Sequence, residues 1–557
     1  MIISNTNQIK APLTKLDTTK EKWVDGIYNN MSLKEKIGQL FMVDAYSNKG
    51  KPHTDSIKQL IKKHHLGGLC FFQGGPVKQA LLTNEYQSIS NIPLLIGIDA
   101  EWGLKMRLDS TFRYPNNMTL GAIQDNDILT RIGQQIGKHC KRVGIHVNFA
   151  PVVDVNTNPK NPIIGVRSYG EGKINVANKA TAFTQGLQSE NVLACAKHFP
   201  GHGDTDKDSH KTLPTVSFDA KRIDTVELYP FKKLFSKGIA SVMVAHLNIP
   251  SIQVTKGLPT SLSPYIVTDL LKEKLGFRGL IFTDALNMKG AANYKEPGYI
   301  DLIAFEAGND VLLFSENAPK GMSLIEDAYS NGRITEIRLS HSVKKILRAK
   351  YDVNLHNYKP IKITDIIKDI NTKEDKDLYS EAVSSAITLV KNSNSTLHTI
   401  NNSKKTAYLK IGDGSNKTFL STLKEHIKID DLTEPSLKNM LKKLEAYDLV
   451  IISYHRFNAR KIEHLKDEDL FLIQEIAKNN KVILDVFANQ YSLAKLSFKN
   501  IESVIVSYEN TTKIQKVSAK IILGIQDAKG ELPASINKDY SVSHHCVYDS
   551  NEITKHN

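Results

Sequence analysis

The chain has 557 residues, 41% hydrophobic and 24% charged, the balance of a soluble globular protein rather than a disordered or fibrous one. That length exceeds one ordinary domain, so two or three are expected. The formal charge is +14, but the lysines are scattered along the whole chain as on a solvated surface, so no nucleic-acid partner is expected.

The opening stretch MIISNTNQIKAPLTK lacks the apolar core of a signal peptide. No run reaches the roughly 18 apolar residues of a membrane span. The chain as written is therefore expected to be cytoplasmic, with no membrane partner. Residues 1–29 read as an N-terminal extension. From 30 to 350, short apolar runs alternate with amphipathic stretches. The runs are 37–44, 67–72, 93–99, 145–152, 192–198, 239–246, 279–284 and 310–315, with helix-like segments such as 127–143 and 300–307 between them. Eight repeats of nearly continuous hydrophobicity predict a (β/α)8 barrel of TIM type, its strands buried on both faces. Chemistry in such barrels sits at the C-terminal strand ends. Here those ends carry Asp99, Lys197, His198, His246 and Asp284.

Residues 351–376 are largely polar and read as a linker. The remainder, 377–557, alternates again, with strands expected at 386–391, 406–411, 448–453, 481–486 and 502–508 and helices at 467–477 and 512–523. This predicts a smaller, doubly wound α/β domain with a parallel sheet. It contains no glycine-rich phosphate loop, and no cofactor is expected. The four cysteines (Cys70, Cys140, Cys195 and Cys546) are far apart without a CxxC pair, so neither a zinc site nor a disulfide framework is expected. Cys70 and Cys195 lie in apolar runs and read as buried small hydrophobes.

The stretch KHFPGHGDTDKDSHKTLP, residues 197–214, holds the densest chemistry. It places a basic pair at a strand end, followed by a Gly/Pro-rich loop carrying Asp204, Asp206, Asp208 and His210. His198, His202, Asp208 and His210 could all be metal ligands, but the loop lacks the helical spacing of an HExxH site, and no metal is expected. An aspartate two residues from a histidine can instead accept its Nδ1 proton, which leaves Nε2 free to exchange protons and stabilises the imidazolium.

This stretch resembles, nearly residue for residue, the signature of the β-N-acetylglucosaminidase branch of glycoside hydrolase family 3. The resemblance implies that His210 is the general acid/base, that Asp208 orients it, and that Lys197 and His198 grip sugar hydroxyls. IGIDAEWGLKMRL is similar to a family segment that binds the non-reducing sugar, which implies this role for Asp99 and Arg107. FAPVVDVNTNPKNPIIGVRSYGE is similar to another family block and adds Arg167 as a binding residue. GLIFTDALNMKGA resembles the nucleophile segment and implies Asp284 in that role. Ala100 and Leu104 stand where the family usually has glutamine and arginine, and Trp102 is either a platform for a sugar ring or a packing residue.

The resemblance thus implies a retaining exo-β-N-acetylglucosaminidase. Asp284 would form a covalent glycosyl-enzyme while His210 serves first as acid and then as base. Its partner would be a β-linked N-acetylglucosamine-containing glycan, either a cell-wall muropeptide or a chitooligosaccharide. A β-glucosidase or β-xylosidase of the same family would take its acid/base from a glutamate outside the barrel and would lack this loop. Phosphorolysis is an alternative because a histidine does not repel incoming phosphate. A non-catalytic sugar-binding protein would not need both catalytic groups.

Overall fold

The computed structural model describes residues 17–209, 211–253, 255–393, 396–397, 400, 405–432, 437–458 and 463–546. Two compact units emerge. The first takes the chain up to Tyr114, Leu129–Ile164 and Val176–Asp375; the second takes Pro115–Ile128, Gly165–Asn175 and the chain from Lys376.

The first unit is built on eight parallel strands: β1 Phe41–Tyr46, β2 Gly68–Gln73, β3 Leu95–Ile98, β4 Val147–Asn148, β5 Leu193–Phe199, β6 Ser241–Val244, β7 Leu280–Thr283 and β8 Leu312–Leu313. Their order is β7-β6-β5-β4-β3-β2-β1-β8, and a bridge between Phe282 and Val311 links β7 to β8. This is the expected (β/α)8 barrel. Its strands are apolar at successive positions because side chains on one face fill the interior while those on the other meet the helices. Inside, Phe149 and Phe282 meet edge to face at 5.2 Å. Gly97 makes room for them, since a Cβ there would lie 3.0 Å from the Phe149 ring.

Several strands are shorter than their apolar runs. Of 145–152 only Val147–Asn148 pairs in the regular ladder, and of 310–315 only Leu312–Leu313 does. Past the ladder, residues 149–152 and Phe314 stay buried on the C-terminal side, toward the barrel mouth. The helices expected at 127–143 and 300–307 are Asn126–Arg142 and Tyr299–Ala307.

The stretch read as an N-terminal extension contains helix Thr18–Asn30, whose N-cap Asp17 accepts two backbone N–H groups. Ion pairs Lys20–Asp352 (3.0 Å) and Arg348–Glu21 (2.7 Å) fasten it to the barrel's closing helix Glu336–Asp352. The polar stretch 351–376 includes the start of helix Lys373–Ala386. Its polarity is used locally: Arg142 binds Asp369 and the carbonyls of Lys362 and Thr364.

The second unit holds a six-stranded sheet: β9 Thr388–Asn392, β10 Thr406–Ile411, β11 Ile429–Asp431, β12 Leu449–His455, β13 Lys481–Phe487 and β14 Ser503–Val506. The order is β11-β10-β12-β13-β14-β9, a doubly wound arrangement whose direction reverses between β10 and β12. The expectation of a fully parallel sheet needs one correction, because edge strand β9 runs antiparallel to β14. Apolar alternation reports that a segment is a strand but not its direction, and an antiparallel edge on a parallel sheet is common. Among the described residues, no helix is long and apolar enough to cross a membrane.

Candidate active site

The C-terminal ends of β3 and β5 bring together two acids and two bases. Asp99, just past β3, lies 2.5 Å from Arg107 Nη2 and 2.7 Å from Lys197 Nζ. Lys197, only 2% exposed, also meets Glu101 at 2.9 Å. Arg107 ends a short turn at Leu104–Met106 and lays its guanidinium 3.8 Å above the Phe72 ring. Burial would push the Asp99 carboxyl up, but Lys197 and then Arg107 hold it well below the usual carboxylate range. Four charged groups fixed against one another form a rigid polar edge that can match the hydroxyls of a sugar.

The next residue, His198, is held by a different acid. Its Nδ1 lies 2.7 Å from Asp154 Oδ2, and the same carboxylate accepts the backbone N–H of His198 and, at 2.7 Å, that of His202. His202 is buried, which lowers its pKa to about 4. Its Nδ1 meets the Thr205 hydroxyl at 2.6 Å and its Nε2 the Ser209 hydroxyl at 3.1 Å. With both ring nitrogens so engaged, His202 pins the loop to the barrel. Gly203 permits this packing, because a Cβ there would come within 2.0 Å of the Val155 carbonyl oxygen. Gly201 adopts φ +137°, a conformation that side-chain-bearing residues rarely take.

Asp284 follows β7. Its own N–H donates to the Val244 carbonyl (2.8 Å), and its Oδ1 accepts the Ala285 N–H (2.8 Å). The next turn is tied to β8: Leu286 N–H donates to the Leu313 carbonyl and Asn287 N–H to that of Phe314. His246, after β6, donates from Nε2 to the Ala285 carbonyl at 3.0 Å and meets Ser261 through Nδ1 at 2.7 Å. Burial again raises the Asp284 carboxyl, but His198, His246, the Ala285 N–H and Lys197 outweigh it, so its pKa lies below the ordinary value. At neutral pH it is a carboxylate, the state required of a nucleophile.

Of the residues singled out in the sequence, the structure therefore clusters Asp99, Arg107, Lys197, His198 and Asp284 at the barrel mouth. Asp208 sits in the loop after β5, where its carbonyl accepts the N–H groups of Lys211 and Thr212. His210 lies outside the described residues. Arg167 ends the turn Gly165–Arg167, which belongs to the second unit, and its carbonyl accepts from the Asn117 side chain at 2.6 Å. Trp102 is 5% exposed, which favours packing over a sugar platform. Sequence reasoning passed over Glu101 and Asp154. Both left a signal: Asp154 is a lone acid in the apolar stretch PVVDV and Glu101 a second acid two residues after Asp99 in IDAEWG, and an acid in such surroundings needs a buried partner.

The glycosyl hydrolase family 3 N-terminal domain matches residues 32–349, the whole of the barrel. The chain belongs to glycosyl hydrolase family 3. As a family 3 glycoside hydrolase it is 30% identical to the solved structure of a β-N-acetylglucosaminidase from Paenibacillus sp. FPU-7. That match covers 91% of this chain and 99% of the other, with a TM-score of 0.75. It is 31% identical over 365 residues to β-hexosaminidase A of Pseudoalteromonas piscicida, covering 58% of this chain and 61% of that protein. It is 32% identical over 303 residues to a β-hexosaminidase of Nitrosomonas eutropha, covering 52% and 86% respectively.

Proposed function

We propose that this family 3 hydrolase is a retaining exo-β-N-acetylglucosaminidase. It removes terminal, β-linked N-acetylglucosamine from a muropeptide or chitooligosaccharide through a covalent glycosyl-enzyme. The observation that carries this reading is the ionised Asp284 at the same strand-end mouth as the Asp99–Arg107–Lys197–Glu101 network. A carboxylate held ready beside a set of hydroxyl-reading charges suits attack on the anomeric carbon of a terminal sugar. The relatives that bear β-hexosaminidase and β-N-acetylglucosaminidase names support the choice of sugar.

In this reading the chemistry runs in two displacements. The bound sugar presents hydroxyls to Asp99, Arg107, Lys197 and His198. Asp284 attacks the anomeric carbon while His210, oriented by Asp208, gives its proton to the leaving oxygen. The Ala285 N–H and the neighbouring His198 and His246 favour the carboxylate form of Asp284 before attack. His210 then takes a proton from water, which attacks the same carbon and releases the sugar. The loop that carries Asp208 is fixed close by, because Ser209 bonds both His202 and the Gly290 N–H.

The test is a panel of 4-methylumbelliferyl β-glycosides, with the first-formed anomer followed by NMR and the reaction run with and without phosphate. The N-acetyl-β-glucosaminide is expected to be cleaved faster than the glucoside and xyloside, to release the β-anomer first, and to be indifferent to phosphate. Initial release of the α-anomer as free sugar would exclude retention. A sugar phosphate as product would make the enzyme a phosphorylase.

A further inference from the structure

Apart from the Asp208–His210 pair read from the sequence, the barrel holds a buried carboxylate–imidazole pair at the end of β5, Asp154 with His198. Asp154 is 1% exposed and His198 5%. The carboxylate makes bonds of three kinds: to His198 Nδ1 at 2.7 Å, to the His198 N–H at 3.2 Å and to the His202 N–H at 2.7 Å. One acid thus fixes the backbone of the loop's root and, separately, the ring of the histidine beside the nucleophile. A carboxylate can only accept, so Nδ1 carries a proton.

We propose that Asp154 is a positioning residue for the glycosidase reaction: it acts through His198 to fix the tautomer and orientation of the imidazole beside Asp284. The inference rests on the assignment of Asp284 as nucleophile. Among the described residues, the groups that face Asp284 include Lys197, His198 and His202 from β5 and the loop after it, His246 from after β6, and the Cys195 thiol from the barrel interior. Those that face His198 include Asp154, His202 and Asp284. Of the charges that favour ionised Asp284, His198 has the greatest effect. Without the Asp154 carboxylate the His198 ring loses its partner, the support it gives the Asp284 carboxylate weakens, and protonation of Asp284 moves to higher pH.

Asp154→Asn isolates this effect. With the amide oxygen kept on the His202 N–H, the amide nitrogen faces Nδ1 and donates to it, which forces the proton onto Nε2. Activity toward 4-methylumbelliferyl N-acetyl-β-glucosaminide would be measured by stopped assay from pH 4 to 9 in wild type, Asp154→Asn, His198→Gln and the double variant. Asp154→Asn is expected to lower kcat/KM roughly tenfold or more and to shift the acid limb to higher pH. The same substitution should cost little in the His198→Gln background, because its route of action is gone.

An equal loss in both backgrounds, or an unshifted acid limb, would overturn the proposal and leave Asp154 a purely structural residue. If Asp154→Asn does not fold, His198→Gln alone must shift the acid limb upward, and an unshifted limb there overturns the proposal equally. If wild type does not cleave the N-acetylglucosaminide, the functional reading fails instead. The same four proteins are then compared on whichever β-glycoside of the panel is cleaved.

Discussion

Asp154 in the barrel and Asp485 in the second unit are both completely buried strand-end or strand acids, at 1% and 0% exposure, yet they are held in opposite states. Asp154 meets an imidazole and two backbone N–H groups, and its pKa is lowered because His198 outweighs burial. Asp485, in the second half of β13, meets the hydroxyls of Ser507 at 2.8 Å and Ser518 at 2.5 Å and the Val486 backbone N–H. With no positive partner, burial pushes its carboxyl up to about 7. Burial alone therefore does not decide ionisation; the chemistry of the partner does. Around its mouth the barrel pairs acids with bases and keeps charge available for a reaction, while away from the mouth its Asp301, bonded to the Ser315 hydroxyl, is pushed up to about 7 just as Asp485 is. The second sheet keeps a proton on its acid and uses it for hydrogen bonding.

The barrel side of this contrast is most directly broken at Asp284. Asp284→Asn replaces the carboxylate with a neutral group of nearly the same shape, so the hydrogen bond from the Ala285 N–H can persist on the amide oxygen. Turnover is expected to fall by about 10³-fold or more, with an unchanged melting temperature. Steady-state kinetics on protein checked by circular dichroism decides the matter, and near-normal kcat in a folded sample would remove Asp284 from the nucleophile role.

Lys197 tests whether the paired charges also hold the fold. It is the shared partner of Asp99 and Glu101. Lys197→Met would leave Asp99 with Arg107 but take the Lys197 ammonium away from buried Glu101. Breaking a buried pair from one side typically costs about 3–5 kcal/mol. The variant should melt well below wild type and show a raised KM. Glu101→Gln in the same background should recover part of the stability, because it removes the charge that Lys197 faced. If Lys197→Met melts with wild type, Glu101 has another sufficient partner.

The contrast also explains what the sequence made legible. All eight barrel strands could be located because parallel strands covered on both faces read as unbroken apolar runs, and reactive residues at their ends, such as Asp99, Lys197 and Asp284, fall where such a barrel places chemistry. Strand lengths were less accessible: the apolar run 145–152 stays buried after its ladder ends at Asn148, so hydrophobicity cannot mark the exit. β11 (Ile429–Asp431) escaped notice because it is three residues long and two of them are exposed acids. The same limit applies within the site. Asp154 acts on His198 across 44 positions of sequence, and Glu101 meets Lys197 from a different strand. Such partnerships arise from register between strands, which the composition of either segment cannot reveal. Segments 115–128 and 165–175, which include Arg167, group with the second unit although they lie within the barrel's stretch of sequence. This grouping depends on contacts rather than pattern.

The smallest expected effect belongs to the other side of the comparison. Because Asp485 has a folded pKa of about 7 and an ordinary unfolded value near 3.9, the folded state binds more protons than the unfolded state between roughly pH 4 and 7. Stability should therefore fall as pH rises through that window and level off above it. The integrated loss is on the order of 4 kcal/mol at most. Asp485→Asn mimics the protonated acid: its amide can donate to one serine and accept from the other, and it has no charge to release. The variant should melt within a few degrees of wild type at pH 5 and above it at pH 8, with glycosidase kinetics unchanged at both. Differential scanning fluorimetry across pH 4 to 9 makes the comparison. A variant less stable than wild type by the same margin at every pH would mean that Asp485 is ionised in the fold. In that case the second sheet would handle its buried acid as the barrel mouth does.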